Sequence, residues 1–219
     1  MKPSIFLLVI SLAFVAAPAA AQIYSSGPSS GNWNAWAINF GFAVSDEFTI
    51  AAPGTTVDGG EFAMWLFPGD ILTSAELSIT SGENGGTTYF DETVNFSQSG
   101  CVANAYGFNV CTESTFFNGP TLDRGAYWIN LQNAIVTTGD PVYWDQTAGP
   151  RVNFDPASDS AVGTIPGETF TLLGACGGSG GDCRASSQSD GQQTVPEPGT
   201  FLLLATGALG LMRRLRVRS

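Results

Sequence analysis

An all-β antiparallel sandwich is the fold this sequence predicts, and three observations predict it. Apolar and polar residues alternate with a period of two in several segments. Turn signals (PG, GG, NG, GD) recur at roughly the 8–12-residue spacing of a sandwich or barrel. No stretch of residues 22–173 carries the apolar stripe of an amphipathic helix. The pattern fits a jelly-roll or immunoglobulin-like topology, while the strand order is not written in it.

The elements follow in chain order. After the turn Pro68-Gly69-Asp70, Ala75, Leu77 and Ile79 alternate with Glu76, Ser78 and Thr80, a strand with one core face. Residues 89–96 are rich in β-formers and lead into a polar loop. Residues 106–117 alternate again, with Phe108, Val110 and Thr112 against Asn109 and Cys111. Residues 126–136 (AYWINLQNAIV) and 141–145 (PVYWD) read as strands, and 168–173 (ETFTLL) as the closing one. Residues 174–194 are rich in Gly, Ser and Gln with little apolar content, the composition of a flexible linker.

Both ends carry targeting patterns. Lys2, a largely apolar stretch over 5–15 and then APAAAQ make a secretory signal, with Ala19 and Ala21 as the small residues and the cut expected between Ala21 and Gln22. Eleven residues are too few for a bilayer core that needs about 20. At the other end Val195-Pro196-Glu197-Pro198-Gly199-Thr200 precedes an apolar run over 201–212, and Arg213, Arg214, Arg216 and Arg218 follow. Positive charge stays on the cytoplasmic side, so residues 22–194 are expected outside, held by a short transmembrane helix.

That exterior part is one domain of 22–173 plus its linker, long enough for a core of its own. Its eighteen acids against Arg124, Arg151 and Arg184 give a net charge of −15. Such a surface repels nucleic acid and anionic lipid. Histidine is absent from the whole chain and lysine from 22–194. Ser-His-Asp and Cys-His catalysis, lysine Schiff bases and histidine-ligated metals therefore go together. A carboxylate-pair glycosidase survives as a third reading, although no two acids stand out.

Four cysteines allow three pairings, and an oxidising compartment with short spacing favours Cys101 with Cys111 and Cys176 with Cys183. Asp140, Asp145, Asp155 and Asp159 crowd one turn-rich region and are the candidate calcium ligands, although no EF-hand loop is present. No other cofactor or metal is expected. Among Trp33, Trp36, Trp65, Trp128, Tyr143 and Trp144, core packing competes with stacking on a sugar ring. Trp128, Tyr143 and Trp144 are the candidate ligand-facing aromatics. In AYWIN, Tyr127 and Ile129 share one face, Trp128 and Asn130 the other.

The tail from Val195, with its PEP tripeptide, apolar run and terminal arginines, resembles the PEP-CTERM sorting signal of Gram-negative bacteria. The same kind of segment is also labelled an ice-binding protein C-terminal domain, which implies no ice binding here. The resemblance implies recognition of Pro196, Glu197 and Pro198 by an exosortase, a membrane cysteine transpeptidase-like enzyme, after export across the inner membrane and cutting by signal peptidase. It also implies removal of the helix and basic tail, and a final place at the cell surface or outside the cell. The body is similar to the exported part of other PEP-CTERM proteins at DEFTI (46–50), Trp65 with the 68–70 turn, GAYWINLQNA (125–134) and PVYWD (141–145). That likeness implies a β-sandwich. The expected role is a non-enzymatic component of the cell surface, matrix or biofilm, associated with exopolysaccharide. A carbohydrate-binding module is the alternative.

Overall fold

The computed structural model describes residues 21–149 and 156–175, and every regular element among them is a strand. In chain order these are β1 (Ala21–Ser25), β2 (Ala35–Ala37), β3 (Ala43–Ile50), β4 (Thr55–Leu66), β5 (Leu72–Gly82), β6 (Gly85–Asn95) and β7 (Ser97–Ala103). Then come β8 (Asn109–Phe116), β9 (Thr121–Leu122), β10 (Gly125–Val136), β11 (Tyr143–Asp145), β12 (Ala157–Asp159), β13 (Gly163–Ile165) and β14 (Phe170–Ala175). All the described strands belong to one compact unit, and residues 186–219 lie outside the described residues.

Two antiparallel sheets form a sandwich-like arrangement. One runs β13-β12-β3-β10-β5-β6. The other is organised on β4, which pairs with β14 and β11 along one edge and with β8 and β9 along the other. Beyond these lie β1, β2 and β7. Alternation aims Val44, Phe48 and Ile50 of β3, Leu77 and Ile79 of β5, and Ile129 and Leu131 of β10 into the interior, all buried. They meet Phe62, Met64, Leu66, Trp144 and Phe170 of the β4 sheet. A ring contact crosses the gap: Tyr24 on β1, stacked on Phe170 of its own sheet at 5.2 Å, meets Phe48 of the other sheet edge-on at 6.0 Å. Each such fully buried side chain contributes about 1.5–3 kcal/mol relative to exposure.

The alternation expected in 75–80 and 126–136 is present in β5 and β10. β1 to β4, β9, β12 and β13 are not read as strands from the sequence, β11 and β14 begin at Tyr143 and Phe170, and other segments also differ. Residues 97–103, taken as loop, form β7, an edge strand open on most of its length and therefore without an apolar face. Tyr106 sits in the turn before β8 rather than in the strand. Gly174 and Ala175, taken as linker, continue β14 opposite Val57 and Thr56. Gly174 is needed there because a Cβ would collide with the Thr56 carbonyl at the register shift. Near the other end, β1 begins at Ala21, and Gln22 already pairs with Leu173. The Ala19 side of the expected cut, Cys176, Cys183, the rest of the linker and the transmembrane segment lie outside the described residues.

Cys101 and Cys111 are joined, with Cα atoms 4.0 Å apart. The bond crosses from β7 to β8 where the register slips between Ser99 and Val102, at Gly100 with its positive φ of 60°. Cys101 is exposed and Cys111 fully buried, so the bond ties an edge strand to the core layer. Replacing both cysteines by serine is expected to lower stability by about 2–3 kcal/mol. Urea unfolding of the two proteins side by side checks this, and equal midpoints would contradict it.

Candidate functional site

The outer face of the β4 sheet is organised by one carboxylate. Asp145 ends β11, and its side chain is fully buried. One oxygen accepts from Trp65 Nε1 at 2.7 Å and Ser30 Oγ at 3.0 Å; the other accepts from Ser29 Oγ at 2.6 Å and the Gly31 amide at 3.1 Å. Four donors on one buried carboxylate replace the hydration it has lost. They pin the 29–31 loop to the sheet and fix the Trp65 indole through its Nε1.

Beside this anchor lies a groove of about 230 Å³. Ala63 and Val110 lie in its lining from β4 and β8, Ser29 and Asn32 from the N-terminal loop, and Val102 and Asn104 from the β7–β8 hairpin. The two flanks touch where the Ala105 amide donates to Asn32 Oδ1 at 2.9 Å. Asn104 Oδ1 accepts from the amides of Tyr106 and Phe108, both at 3.0 Å, which folds the hairpin tip, and Gly107 supplies the required positive φ of 87°. The Asn104 Nδ2 group is buried and donates to nothing.

Next to the groove stands an aromatic cluster. Trp65 follows Ala63 by two residues on β4 and so shares its face. Tyr106 stacks on Trp65 at 5.7 Å and 20° while remaining 61% exposed. Phe108 packs on Trp65, Phe67 and Tyr143 at 5.7, 4.8 and 5.6 Å. Trp33, at the end of the N-terminal loop, is 58% exposed.

The aromatics expected from sequence are not one row. Tyr143 belongs to this cluster, half-buried. Trp128 is half-buried on the outer face of the opposite sheet, beside Thr80. Trp144 is a correction: it is fully buried, donates from Nε1 to the Thr169 carbonyl at 2.8 Å and packs edge-on against Phe62 and Phe170. It faces inward because its neighbours Tyr143 and Asp145 face outward. Trp36, its pair partner on β2, is also packed against the core. Tyr106, Asn104 and Asn32 were missed; a tyrosine inside an Asn-x-Tyr-Gly turn was the available signal.

The calcium candidates are likewise dispersed. Asp145 is committed to its four donors. Asp140 accepts from Thr138 Oγ1 at 2.9 Å, and Asp159 accepts from the amides of Ala161 and Val162 at 2.8 and 3.1 Å. Asp155 lies outside the described residues. Among the described residues no three His, Cys, Asp or Glu side chains form a metal-holding group.

Glu168 and Glu113 point inward instead, as does Asp46, which lies on the β3 face of Val44 and Phe48. Glu168 is fully buried, with neither oxygen hydrogen-bonded, and its amide donates to Asp46 Oδ2. Burial, then the charges of Asp46, Asp145 and Asp159, push its carboxyl well above the ordinary range. Glu113 of β8 faces inward opposite Phe62. Burial pushes its carboxyl up to about 8. With its amide turned to donate, Gln98 places nitrogen 3.1 Å from Glu113 Oε1.

The C-terminal segment decides the family comparison. Residues 194–217 match the PEP-CTERM protein-sorting motif. The PEP-CTERM match contains Pro196, Glu197 and Pro198 and reaches past Arg213, Arg214 and Arg216, leaving Arg218 just beyond it. It lies outside the described residues. A PEP-CTERM motif marks an exported protein that is anchored transiently in the membrane and processed by an exosortase. No curated protein matches the chain.

Glu113 generates a pH prediction. The folded chain holds this proton up to about 8, whereas the unfolded chain releases it near the ordinary value of 4.5. Stability contributed by the neutral form is complete below about 4.5 and is lost as pH rises towards about 8. Glu113→Gln is expected to match the parent at pH 4.5 and to be the more stable of the two at pH 8. Thermal melts across that range check it, and parallel curves would contradict it.

Proposed function

We propose that this chain is a non-enzymatic component of the cell surface or extracellular matrix, delivered by its PEP-CTERM tail and cut there by an exosortase. The observation that carries the reading is the motif match at 194–217. Signal peptidase would remove residues 1–21, leaving β1 to begin its pairing at Gln22. Glu197 sits between two prolines, which restrict the backbone on both sides and favour an extended strand for an enzyme to grip. The remaining linker would hold that peptide clear of the folded domain, and the short apolar run with its arginines would keep it in the membrane while processing occurs.

Absence of catalysis is part of the proposal. Three features support it: the chain has no histidine, residues 22–194 have no lysine, and among the described residues no carboxylate lines the groove. The strongly acidic domain would remain soluble and dispersed at a bacterial surface.

A second reading, a carbohydrate-binding module, is favoured by one observation: Tyr106 is stacked on Trp65 beside a groove rich in amide and hydroxyl groups. The two readings are compatible, since a matrix component can be held by the polymer it binds.

The sorting account has a direct test. In the native host, Glu197→Ala with Pro198→Ala is expected to leave the full-length chain in the membrane fraction, while the parent is released or transferred. Immunoblots of fractionated cells read this out. Normal processing of the doubly substituted chain would refute recognition through these residues.

A further inference from the structure

We propose that the groove beside Tyr106 binds a single ring of a neutral polysaccharide. This deepens the reading of the domain as polymer-associated and rests on it. The argument starts from the tyrosine. Its ring is backed by Trp65, which is held in turn by the Asp145 carboxylate. The residue nevertheless leaves 61% of its surface to solvent, at the tip of a hairpin. An aromatic ring that is rigid from behind and open in front is a stacking platform. It costs little conformational entropy to use, because its neighbours have already fixed it.

A planar apolar face and a rim of hydroxyls describe a pyranose, and the groove offers partners for both. Ala63, Val102 and Val110 contribute apolar surface, while Asn32, Asn104 and Thr112 contribute amide and hydroxyl groups. Asn32 uses its carbonyl oxygen on Ala105, so its amide hydrogens remain for a ligand. Asn104 uses its carbonyl oxygen on two backbone amides, and its Nδ2 donates to nothing. The Asn32 amide is thereby presented to a ligand rich in acceptors, while the Asn104 amide nitrogen is covered from solvent. A cavity of about 230 Å³ suits one ring, with the chain continuing at either side.

Charge selects the class of polymer. Among the described residues no basic side chain lines the groove, and residues 22–194 carry a net charge of −15. A uronic-acid or sulfated polymer would be repelled, so the ligand is neutral. The Cys101–Cys111 bond ties the β7 flank to β8, whose Cys111 belongs to the lining.

The test is native gel electrophoresis of the full chain, kept in mild detergent, through gels containing a neutral glucan, a neutral galactan, a neutral mannan or the polyanion alginate. Retardation is expected with at least one neutral polymer and not with alginate. Tyr106→Ala is expected to weaken it by about tenfold, Tyr106→Phe to keep it, and Trp128→Ala, on the other sheet, to leave it unchanged. Equal retardation of Tyr106→Ala and the parent would overturn the groove as the site. Passage through all three neutral gels without retardation would overturn the glycan itself. Fractionation of the host separates these failures from failure of the underlying reading. A chain that stays with the surface polymer but is not retarded removes only the groove. A retarded chain found free in the medium removes the polymer-associated role.

Discussion

The Asp145 carboxylate is the constraint on which the outer face of this domain depends. It accepts four hydrogen bonds from two separate pieces of chain: Trp65 on β4, and the N-terminal loop through the hydroxyls of Ser29 and Ser30 and the Gly31 amide. Hydrogen bonds to a buried charge are worth about 1.5–3 kcal/mol each, and removing the acceptor strands its donors. The short strand that carries it, β11, also places Trp144 in the core and Tyr143 in the surface cluster. Three consecutive side chains therefore join the interior, a buried polar node and an exposed aromatic surface. The N-terminal loop, held as well by the Ser30 amide on the Gln146 carbonyl and the Ala148 amide on the Pro28 carbonyl, becomes one flank of a groove.

The interior shows a complementary economy of charge. Basic residues are scarce between 22 and 194, so most buried carboxyls have no cation at hand. Asp145 is satisfied by neutral donors. Glu113 and Glu168 are held towards their protonated forms by burial, with neighbouring carboxylates adding to the effect at Glu168. This chemistry belongs to the sandwich interior rather than to the groove, whose lining among the described residues is uncharged. Acids at the surface keep the domain soluble; acids inside couple its stability to pH.

The sequence revealed the fold where a strand has one wet and one dry face. β5 and β10 alternate visibly because Leu77, Ile79, Ile129 and Leu131 face the core while Ser78 and Asn130 face away. β4 does not alternate, because Ala63 and Trp65 are covered on the outside while Phe62 and Met64 are covered on the inside. β7 fails for the opposite reason, being exposed on both faces. The local disulfide was legible from the short spacing between Cys101 and Cys111. The groove was not, because its flanks meet through Asn32 and Ala105, 73 residues apart. Trp144 and Tyr106 show the limit of composition as a guide: adjacent aromatics in a strand take opposite roles, and a turn exposes the ring a strand would have buried. The sorting motif needed no tertiary contact to be read, since its order along the chain is the signal.

The domain and its tail thus divide the labour between surface chemistry and delivery. Their union is tested most directly by intact mass spectrometry, without reduction, of the protein recovered from the host's medium or surface. The account predicts a chain that starts at Gln22, ends between Val195 and Gly199, and is lighter by two protons for each disulfide. Additional mass on that chain would show transfer to a surface polymer. A full-length C-terminus confined to the membrane fraction would contradict the account, since the tail would then be a plain anchor.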